Sequence, residues 1–129
     1  MNGSSPFWGT MEKVAVIGGR EFTNKKILFF ALDEYNRRVG ISLIISGGAR
    51  GADTLAESYA KNKRIPYMIF PANWEKHGKS AGYIRNADIV FACDTVIAFP
   101  SKNSKGTYHT TELAFKEGKK VYILDKHLL

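Results

Sequence analysis

Five short apolar runs punctuate the chain, and segments with apolar residues at helical spacing lie between them. The runs are Val14–Ile17, Ile41–Ile45, Pro66–Phe70, Thr95–Phe99 and Val121–Leu124. Runs of this length are typical of buried strands, and strands that alternate with helices are parallel, with right-handed crossovers. The hydrophobic pattern therefore predicts an α/β domain built on a parallel sheet.

Four intervening segments are predicted helices. Their apolar faces are drawn from Ile27–Tyr35, Ala52–Ala60, Ala81–Phe91 and Thr110–Glu117. In the third segment, the predicted buried stripe consists of Ala81, Ile84, Asp88 and Phe91, and Ser80 is the predicted N-cap. The polar stretch that precedes this helix, Asn73–Ser80, is predicted to be a loop.

The second apolar run ends in a glycine-rich turn that opens directly into a predicted helix. The turn reads Ser46-Gly47-Gly48-Ala49-Arg50-Gly51, and Ala52 and Asp53 follow it. The first N–H groups of a helix lack intrahelical partners and carry partial positive charge, and glycines let a backbone approach a phosphate closely. Arg50 could add a charged fork to the same phosphate. Two interpretations stay open: an anion-binding turn, or a plain turn that needs glycine only for its backbone angles.

Two further turns are predicted at the same edge of the sheet, because the carboxyl ends of parallel strands meet there and ligands bind outside them. The first strand ends at Gly18-Gly19-Arg20, in which Arg20 could equally be solvent-exposed. The fourth ends at Pro100, and its loop leads to Gly106-Thr107 at a helix N-terminus, a second candidate phosphate cradle. The predicted donors of this loop are Ser101, Ser104, Lys102 and Lys105. The alternative is a mobile lysine-serine loop.

Side chains after the third strand could extend the candidate site. Trp74 could stack on a base, and His77 or Lys79 could meet a phosphate. Equally open are a packing role for Trp74 and a solvated His77. Arg85 and Asn86 fall inside the third predicted helix beside its buried stripe, where a polar pair either faces solvent or points into a cleft.

Composition indicates a single domain with anionic partners. The chain has 129 residues, 44% of them hydrophobic, and a net charge of +7, which favours nucleotides, nucleic acid or acidic proteins. No apolar run is long enough for a membrane span, so we expect no membrane partner. The lone Cys93 excludes an internal disulfide framework and is predicted to be a small buried hydrophobe, so we predict a cytoplasmic protein. Residues 1–12 are predicted to be a flexible lead-in, and residues 13–129 one domain.

Four motifs in order carry a family resemblance. They are SGGARGAD at 46–53, PANWEKHGKSAGYIRN at 71–86, CDTVIAFP at 93–100 and the Gly-Thr pair at 106–107. Together they resemble the SLOG superfamily, which includes the DNA-processing protein DprA/Smf and the "Lonely guy" cytokinin-activating enzymes, and most of all its small stand-alone YspA/YpsA-related branch of bacteria and phages. The resemblance covers residues 14–124. It implies a three-layer, Rossmann-like, doubly wound sheet of about five parallel strands with helices on both faces, a nucleotide or nucleotide-derived ligand, and a homo-oligomer, dimer or tetramer.

The resemblance to the Lonely-guy enzymes is incomplete at the positions that carry their chemistry. Those enzymes cleave the N-glycosidic bond of a nucleoside monophosphate with an arginine and with the glutamate of a PGGxGTxxE loop. Arg85 matches the arginine, but the loop after Pro100 is longer, and the glutamate position is Thr110. Glu112 is two residues further on, about half a helical turn away. Arg85 and Glu112 are thus the candidate catalytic residues, and the missing glutamate speaks against hydrolysis.

The leading hypothesis is a nucleotide-binding protein that senses or sequesters a nucleotide-derived signal. The ligand phosphates would lie at Gly47–Ala52 and at Gly106-Thr107, with Arg20, Arg50 and Arg85 as charge partners.

Two alternatives belong to other functional classes. One is a nucleotide hydrolase that uses Glu112, Asp53 or His109 as acid or base. The other is DprA-like binding of single-stranded DNA, which the positive charge favours. No metal site is predicted, because His77, His109 and His127 are scattered, although a divalent metal could arrive with a phosphate ligand.

Overall fold

Strands and helices alternate along the whole of residues 11–124, which are the residues that the computed structural model describes. Its elements are β1 (Glu12–Gly18), α1 (Lys25–Arg38), β2 (Ile41–Ser46), α2 (Ala52–Lys63), β3 (Tyr67–Ile69), α3 (Trp74–His77), a 3-10 helix (Gly78–Ser80), α4 (Ala81–Ala92), β4 (Thr95–Phe99), α5 (Lys105–Lys116) and β5 (Lys120–Ile123). Residues 1–10 of the predicted lead-in and 125–129 of the predicted domain, with His127, lie outside the described residues.

The five strands form one parallel sheet in the order β3-β2-β1-β4-β5. The chain starts in the middle, winds outward to β3, and then crosses back to place β4 on the other side of β1. The direction of winding reverses between β1 and β4, whose ends meet where Gly18 pairs with Phe99. In sheets of this kind, ligands bind at the carboxyl end of the strands beside such a reversal. The predicted α/β, doubly wound fold is confirmed.

Each face of the sheet is covered by two helices. On one face, α1 and α2 pack Leu28, Leu32 and Tyr59 against Val14 and Val16 of β1. On the other face, α4 and α5 supply the buried residues Ile89, Val90 and Ala114, which pack with Ala15 and Ile17 of the same strand. Because alternate side chains of a strand point to opposite faces, a central strand covered on both sides is apolar at every position. This explains why β1 and β4 appear in the sequence as continuous apolar runs.

A polar cluster ties the strands together at the amino edge of the sheet. The Glu12 carboxylate at the start of β1 accepts hydrogen bonds from Thr95 of β4 (2.6 Å), from Lys120 of β5 (2.6 Å) and from the Tyr35 hydroxyl of α1. Burial raises the pKa of Glu12, but the bonds from Lys120, Thr95 and Tyr35 outweigh this and lower it below its usual value. We call these four residues the Glu12 cluster.

The predicted loop at Asn73–Ser80 is wrong, because the stretch contains α3 and the 3-10 helix. The Asn73 side chain accepts a hydrogen bond from the Lys76 N–H at 3.0 Å and so begins α3. One short turn with a cap carries too little periodic pattern to be seen in the sequence. Ser80 does precede α4, but its side chain makes no capping bond.

Ala81 is buried as predicted, but the rest of the predicted buried stripe of α4 is wrong. Ile84 and Phe91 are 38% and 60% exposed and Asp88 is exposed, whereas Ile89 and Val90 are buried. The helix carries apolar residues on two sides, and spacing alone cannot show which side meets the sheet. The side that does meet the sheet leaves Arg85 and Asn86 partly buried beside it.

Candidate functional site

A cleft of about 320 Å³ opens at the carboxyl edge of β1, β2 and β4. Its volume lies at the lower end of the range of roughly 300–1,000 Å³ found for small-molecule sites. The cleft lies where the winding of the sheet reverses, so the fold itself positions it. Predicted site residues that line it are Gly18, Gly19, Arg20, Gly47, Ala49, Asp53, Arg85, Asn86, Gly106 and Thr107.

Other predicted residues do not form the wall of this cleft. They are Ser46, Gly48, Arg50, Gly51, Trp74, Lys79, Pro100, Ser101 and Glu112. Ser46 and Pro100 are buried, Gly51 is half-buried, and Gly48, Arg50, Trp74 and Lys79 are exposed. Conversely, the wall includes Ile17, Glu21, Ile89 and Asn103, which sequence reasoning missed, together with Lys102, Ser104 and Thr110. Ile17 belongs to the first apolar run and is predicted to be core, Ile89 lies outside the predicted stripe of its helix, and nothing in the pattern marks Glu21 or Asn103.

Three N–H groups in and after the β2–α2 turn already have acceptors within the protein. Ala49 N–H donates to Asp53 Oδ2 at 3.0 Å, and Gly48 N–H donates to Ser46 Oγ at 3.3 Å. Ala52 N–H, the first of α2, donates to the Gly19 carbonyl at 3.3 Å. The Asp53 carboxylate thus takes a position on this turn that an oxygen of a bound anion would otherwise take.

Close contacts within the protein explain the glycines at Gly47 and Gly51. A Cβ at Gly51 would lie 2.3 Å from the Gly19 carbonyl oxygen, and its φ of 77° is a conformation that other residues rarely adopt. A Cβ at Gly47 would lie 2.5 Å from Nη1 of Arg85. These glycines therefore let one turn pack on another and let a guanidinium lie against the backbone.

Arg85 spans the cleft wall between α4 and the β2–α2 turn. Its Nη1 donates to the Gly47 carbonyl at 3.0 Å, and its Nε donates to Asn86 Oδ1 at 2.8 Å. Burial lowers the pKa of Arg85, the nearby Asp53 carboxylate opposes that shift, and the positive charge of Arg20 adds to it. The cleft therefore holds two mutually repelling arginines, which would both gain from a bound anion.

Asp53 is a buried carboxyl group in the wall of this basic cleft. Its exposed fraction is 7%. Burial raises its pKa from 3.8 to about 6, against the opposing effects of the Ala49 N–H, the Arg85 charge and the Gly47 N–H. Asp53 thus changes charge close to neutral pH, which is common at functional sites.

The N-terminus of α5 is open to the cleft. Ser104 occupies the N-cap position, but its hydroxyl accepts from the Ser101 N–H at 2.7 Å and makes no capping bond to α5. Gly106 and Thr107, in the first turn, line the cleft. The Thr107 hydroxyl, on a side chain only 7% exposed, has no hydrogen-bond partner among residues 11–124. A buried polar group in that state is expected to have an acceptor or donor supplied from outside the protein.

The remaining chemical candidates lie away from the cleft. Glu112 is exposed on α5, where its carboxylate lies 3.6 Å from Lys116 Nζ. The His109 ring stacks edge-on against Tyr83, with 4.6 Å between centroids. Cys93 is buried as predicted, and burial raises the pKa of its thiol to about 11.

No group of three or more His, Cys, Asp or Glu side chains between residues 11 and 124 is placed to hold a metal ion. In the same range, no helix has the length and apolarity needed to cross a bilayer.

The amino-acid sequence matches a known protein family and a phage protein. The model of a family described as "YspA, cpYpsA-related SLOG family" matches residues 12–77. The "Gene 61 protein" of Mycobacterium phage D29 is 36% identical over an alignment of 115 residues, which covers 84% of this chain and 92% of that protein.

Two solved structures of DNA processing protein A (DprA) share the fold. The protein from Streptococcus pneumoniae superposes with a TM-score of 0.71 at 22% identity, over 88% of this chain and 50% of that one. The protein from Helicobacter pylori, in a structure that concerns its single-stranded DNA binding mode, gives 0.66 at 23% identity, over 86% and 64%. The chain thus spans less than two thirds of the length of either DprA chain.

Proposed function

Because this chain belongs to the YspA- and cpYpsA-related SLOG family, we propose that its cleft binds a nucleotide or nucleotide-derived ligand. The observation that carries the proposal is the open N-terminus of α5, where Thr107, whose hydroxyl has no partner within residues 11–124, lines a cleft that Arg20, Arg85 and Lys102 make positive. Helix N-termini of this kind bind phosphate through their free N–H groups and their partial positive charge. The protein would sense or sequester its ligand as a signal in the cytoplasm.

The phosphate is best accommodated at the β4–α5 turn. Sequence analysis predicts two phosphate cradles, at Gly47–Ala52 and at Gly106-Thr107. The first has its Ala49 and Ala52 N–H groups bonded within the protein, and it faces the Asp53 carboxylate. Neither restriction applies to the Gly106-Thr107 cradle, so we place the phosphate there.

Binding is favoured over hydrolysis. Glu112 points into solvent beside Lys116, outside the cleft. Thr110, at the position of the Lonely-guy glutamate, does line the cleft, but its hydroxyl donates to the Gly106 carbonyl at 2.8 Å and carries no charge. A cleavage through an oxocarbenium-like centre needs a charged group at that point. A divalent metal that accompanies the phosphate is compatible with the proposal, which does not depend on one.

Single-stranded DNA is a second candidate ligand. The net charge of +7 and the fold shared with DprA favour it. The exposed Trp74 could stack on a base. Such binding would weaken steeply with salt, since it releases counterions from several phosphates, whereas a mononucleotide with one phosphate shows a shallow dependence.

A homo-oligomer is the expected assembly. Phe91 of α4 and Phe115 of α5 are 60% and 76% exposed, and Ile84 lies one helical repeat before Phe91. We refer to these three side chains as the α4–α5 apolar face. Exposed aromatic side chains on two helices that pack against each other on one face of the sheet are typical of a covered surface, and we expect a second copy of the chain to bury them.

The proposed function can be tested by native mass spectrometry and thermal shift on the full chain with nucleoside monophosphates, cyclic dinucleotides and ADP-ribose. We expect a bound nucleotide mass or a rise in melting temperature of several degrees. Thr107→Val should weaken that binding about tenfold, which corresponds to roughly one charge-assisted hydrogen bond. The matched control is Thr111→Val on the same helix, where the hydroxyl donates to the Tyr108 carbonyl and lies outside the cleft. Equal binding by both variants would rule out the α5 N-terminus as the phosphate site.

A further inference from the structure

We propose that Asp53 selects the ligand, by accepting hydrogen bonds from ribose hydroxyls and by keeping phosphate away from the β2–α2 turn. The inference rests on the proposed function and adds to it a sugar-facing end of the cleft. It makes Asp53 a specificity-determining residue.

The first step is the incomplete hydrogen bonding of Asp53. The carboxylate lies in the first turn of α2, 7% exposed, in the wall of the cleft. Its Oδ2 accepts from Ala49 N–H. Within residues 11–124 no side chain donates to it, and no cationic group is close enough for a salt bridge, so Arg85 acts on it only from a longer distance. A carboxylate has about four lone-pair positions, and backbone donors use only part of them.

The second step concerns which ligand groups can complete this bonding. A buried carboxylate is stabilised by hydrogen-bond donors and destabilised by other anions. A dianionic phosphate monoester offers acceptors only, and inorganic phosphate is an anion as well, so either would face the Asp53 carboxylate across a repulsive contact. Ribose hydroxyls are donors, and a vicinal pair of them can reach both oxygens of one carboxylate. The same group of the protein therefore attracts the sugar and repels the phosphate.

The third step is the layout of the cleft wall. Asn86 Nδ2 lies 4.0 Å from the position that a Cβ at Gly106 would take, at the first turn of α5. Asn86 Oδ1 accepts from Arg85 Nε, and Arg85 Nη1 reaches the Gly47 carbonyl in the β2–α2 turn. A continuous polar wall thus runs from the α5 N-terminus to the turn that Asp53 holds. A nucleotide with its 5′-phosphate at α5 would extend its sugar along this wall toward Asp53.

The test compares ribonucleoside 5′-monophosphates with their 2′,3′-dideoxy counterparts and with inorganic phosphate, by isothermal titration at pH 7.5. The wild-type chain should prefer each ribonucleotide that it binds over the dideoxy form by about tenfold or more. Asp53→Asn and Asp53→Ser should reduce that preference to below about threefold and should bind inorganic phosphate several-fold more tightly than wild type. Glu57→Gln, one turn further along α2 and paired with Lys61 at 2.8 Å, is the matched control and should behave as wild type.

The outcomes separate this inference from the proposed function. A ribose preference that persists in both Asp53 variants overturns the inference and leaves nucleotide binding intact. The absence of any nucleotide binding to wild type overturns the proposed function. Even if the wild type binds no nucleotide, an unchanged affinity for inorganic phosphate in both variants contradicts the repulsive role of Asp53. Melting curves of the two variants show whether each is folded, and Asp53→Asn keeps the shape of the side chain and an acceptor for Ala49.

Discussion

Arg85 Nη1 donates a hydrogen bond to the carbonyl oxygen of Gly47, 3.0 Å away and 38 residues earlier in the chain. The contact exists because residue 47 has no Cβ, which would lie 2.8 Å from the guanidinium carbon. It joins a helix on one face of the sheet to a turn that leads to a helix on the other face. The position of the main cleft cation therefore depends on a glycine in a different element.

Gly47→Ala should displace the Arg85 guanidinium with little loss of stability. The clash involves the far end of a flexible side chain, which can move, so the free energy of unfolding should fall by less than about 1 kcal/mol. Nucleotide affinity should fall as much as in Arg85→Ala, because both changes remove the same charge from the cleft wall. Urea denaturation and titration calorimetry measure the two effects. Full affinity in Gly47→Ala would show that the arginine does not need this position.

Gly51→Ala should be far more damaging to the fold. Its Cβ would meet two backbone carbonyls, 2.3 Å from Gly19 O and 2.6 Å from Arg20 O, at a φ of 77°. We expect a loss of roughly 2–4 kcal/mol in the free energy of unfolding. Gly82→Ala is the control, and it should have the opposite effect. A Cβ at this helical position contacts only Trp74, at 3.7 Å, so the free energy of unfolding should rise by up to about 1 kcal/mol. Equal stability of the two variants would contradict the packing described for the β2–α2 turn.

Arg85 and Arg50 should differ in their effect on binding, although the sequence suggests a similar role for both. Arg85 lines the cleft and is half-buried, whereas Arg50 is exposed and outside it. Arg85→Ala should reduce nucleotide affinity at least tenfold, and Arg50→Ala by less than about twofold, the scale expected of a screened surface charge. The measurement is a titration with the same nucleotide at 0.15 M salt. A comparable loss in Arg50→Ala would require the turn to rearrange on binding.

Asp53 should make the protein less stable as the pH rises from about 4 to 6. Its pKa is raised from 3.8 to about 6 in the folded state by burial, so the folded chain holds this proton more tightly than the unfolded chain does. The free energy of unfolding then falls with rising pH across that window, by up to about 3 kcal/mol for a shift of this size. Asp53→Asn should remove this fall and be the more stable protein at pH 7.5. If the free energies of unfolding of wild type and Asp53→Asn change in parallel between pH 4 and 7, the pKa of the Asp53 carboxyl is not raised in the folded state.

Phe91→Ser combined with Phe115→Ser should convert an oligomer into a monomer without unfolding it. Both rings belong to the α4–α5 apolar face, and polar replacements at exposed positions change stability by only about 0.5 kcal/mol. Phe30→Ser is the matched control, because Phe30 is similarly exposed but lies on α1, on the opposite face of the sheet. Size-exclusion chromatography with light scattering gives the mass. A wild-type monomer at every concentration would refute assembly through this face.

The layered fold could be predicted because its sequence signals are local and repeated. β1 and β4 contain continuous apolar runs, the apolar run of β2 is interrupted only by Ser42, and the helices between the strands have regular apolar spacing. The orientation of α4 could not be predicted, since Ile84 and Phe91 compete with Ile89 and Val90 for the sheet, and only the tertiary contacts decide between them. The helical structure of Asn73–Ser80 could not be predicted for a different reason, because one short turn carries too little periodic pattern.

The candidate site was predictable at its turns and less so in its chemistry. Glycines after strands predict a site at the edge of the sheet where the cleft lies, and Arg85 stands out in the sequence as a polar residue inside a predicted helix. The sequence could not show that Asp53 bonds the turn N–H groups, because that depends on where Ala49 lies in space. Nor could it show that Glu112 faces away from the cleft while Thr110, two residues earlier, lines it.

The Glu12 cluster gives this protein a practical use as a scaffold. It joins β1, β4, β5 and α1 at the amino edge, at the opposite end of the sheet from the cleft. Directed evolution could therefore vary the exposed residues Lys102 and Asn103 and Glu21 of the β1–α1 turn to obtain new ligand preferences. The Glu12 cluster at the other end of the sheet would stay unchanged. Libraries built in this way should contain a high proportion of folded members.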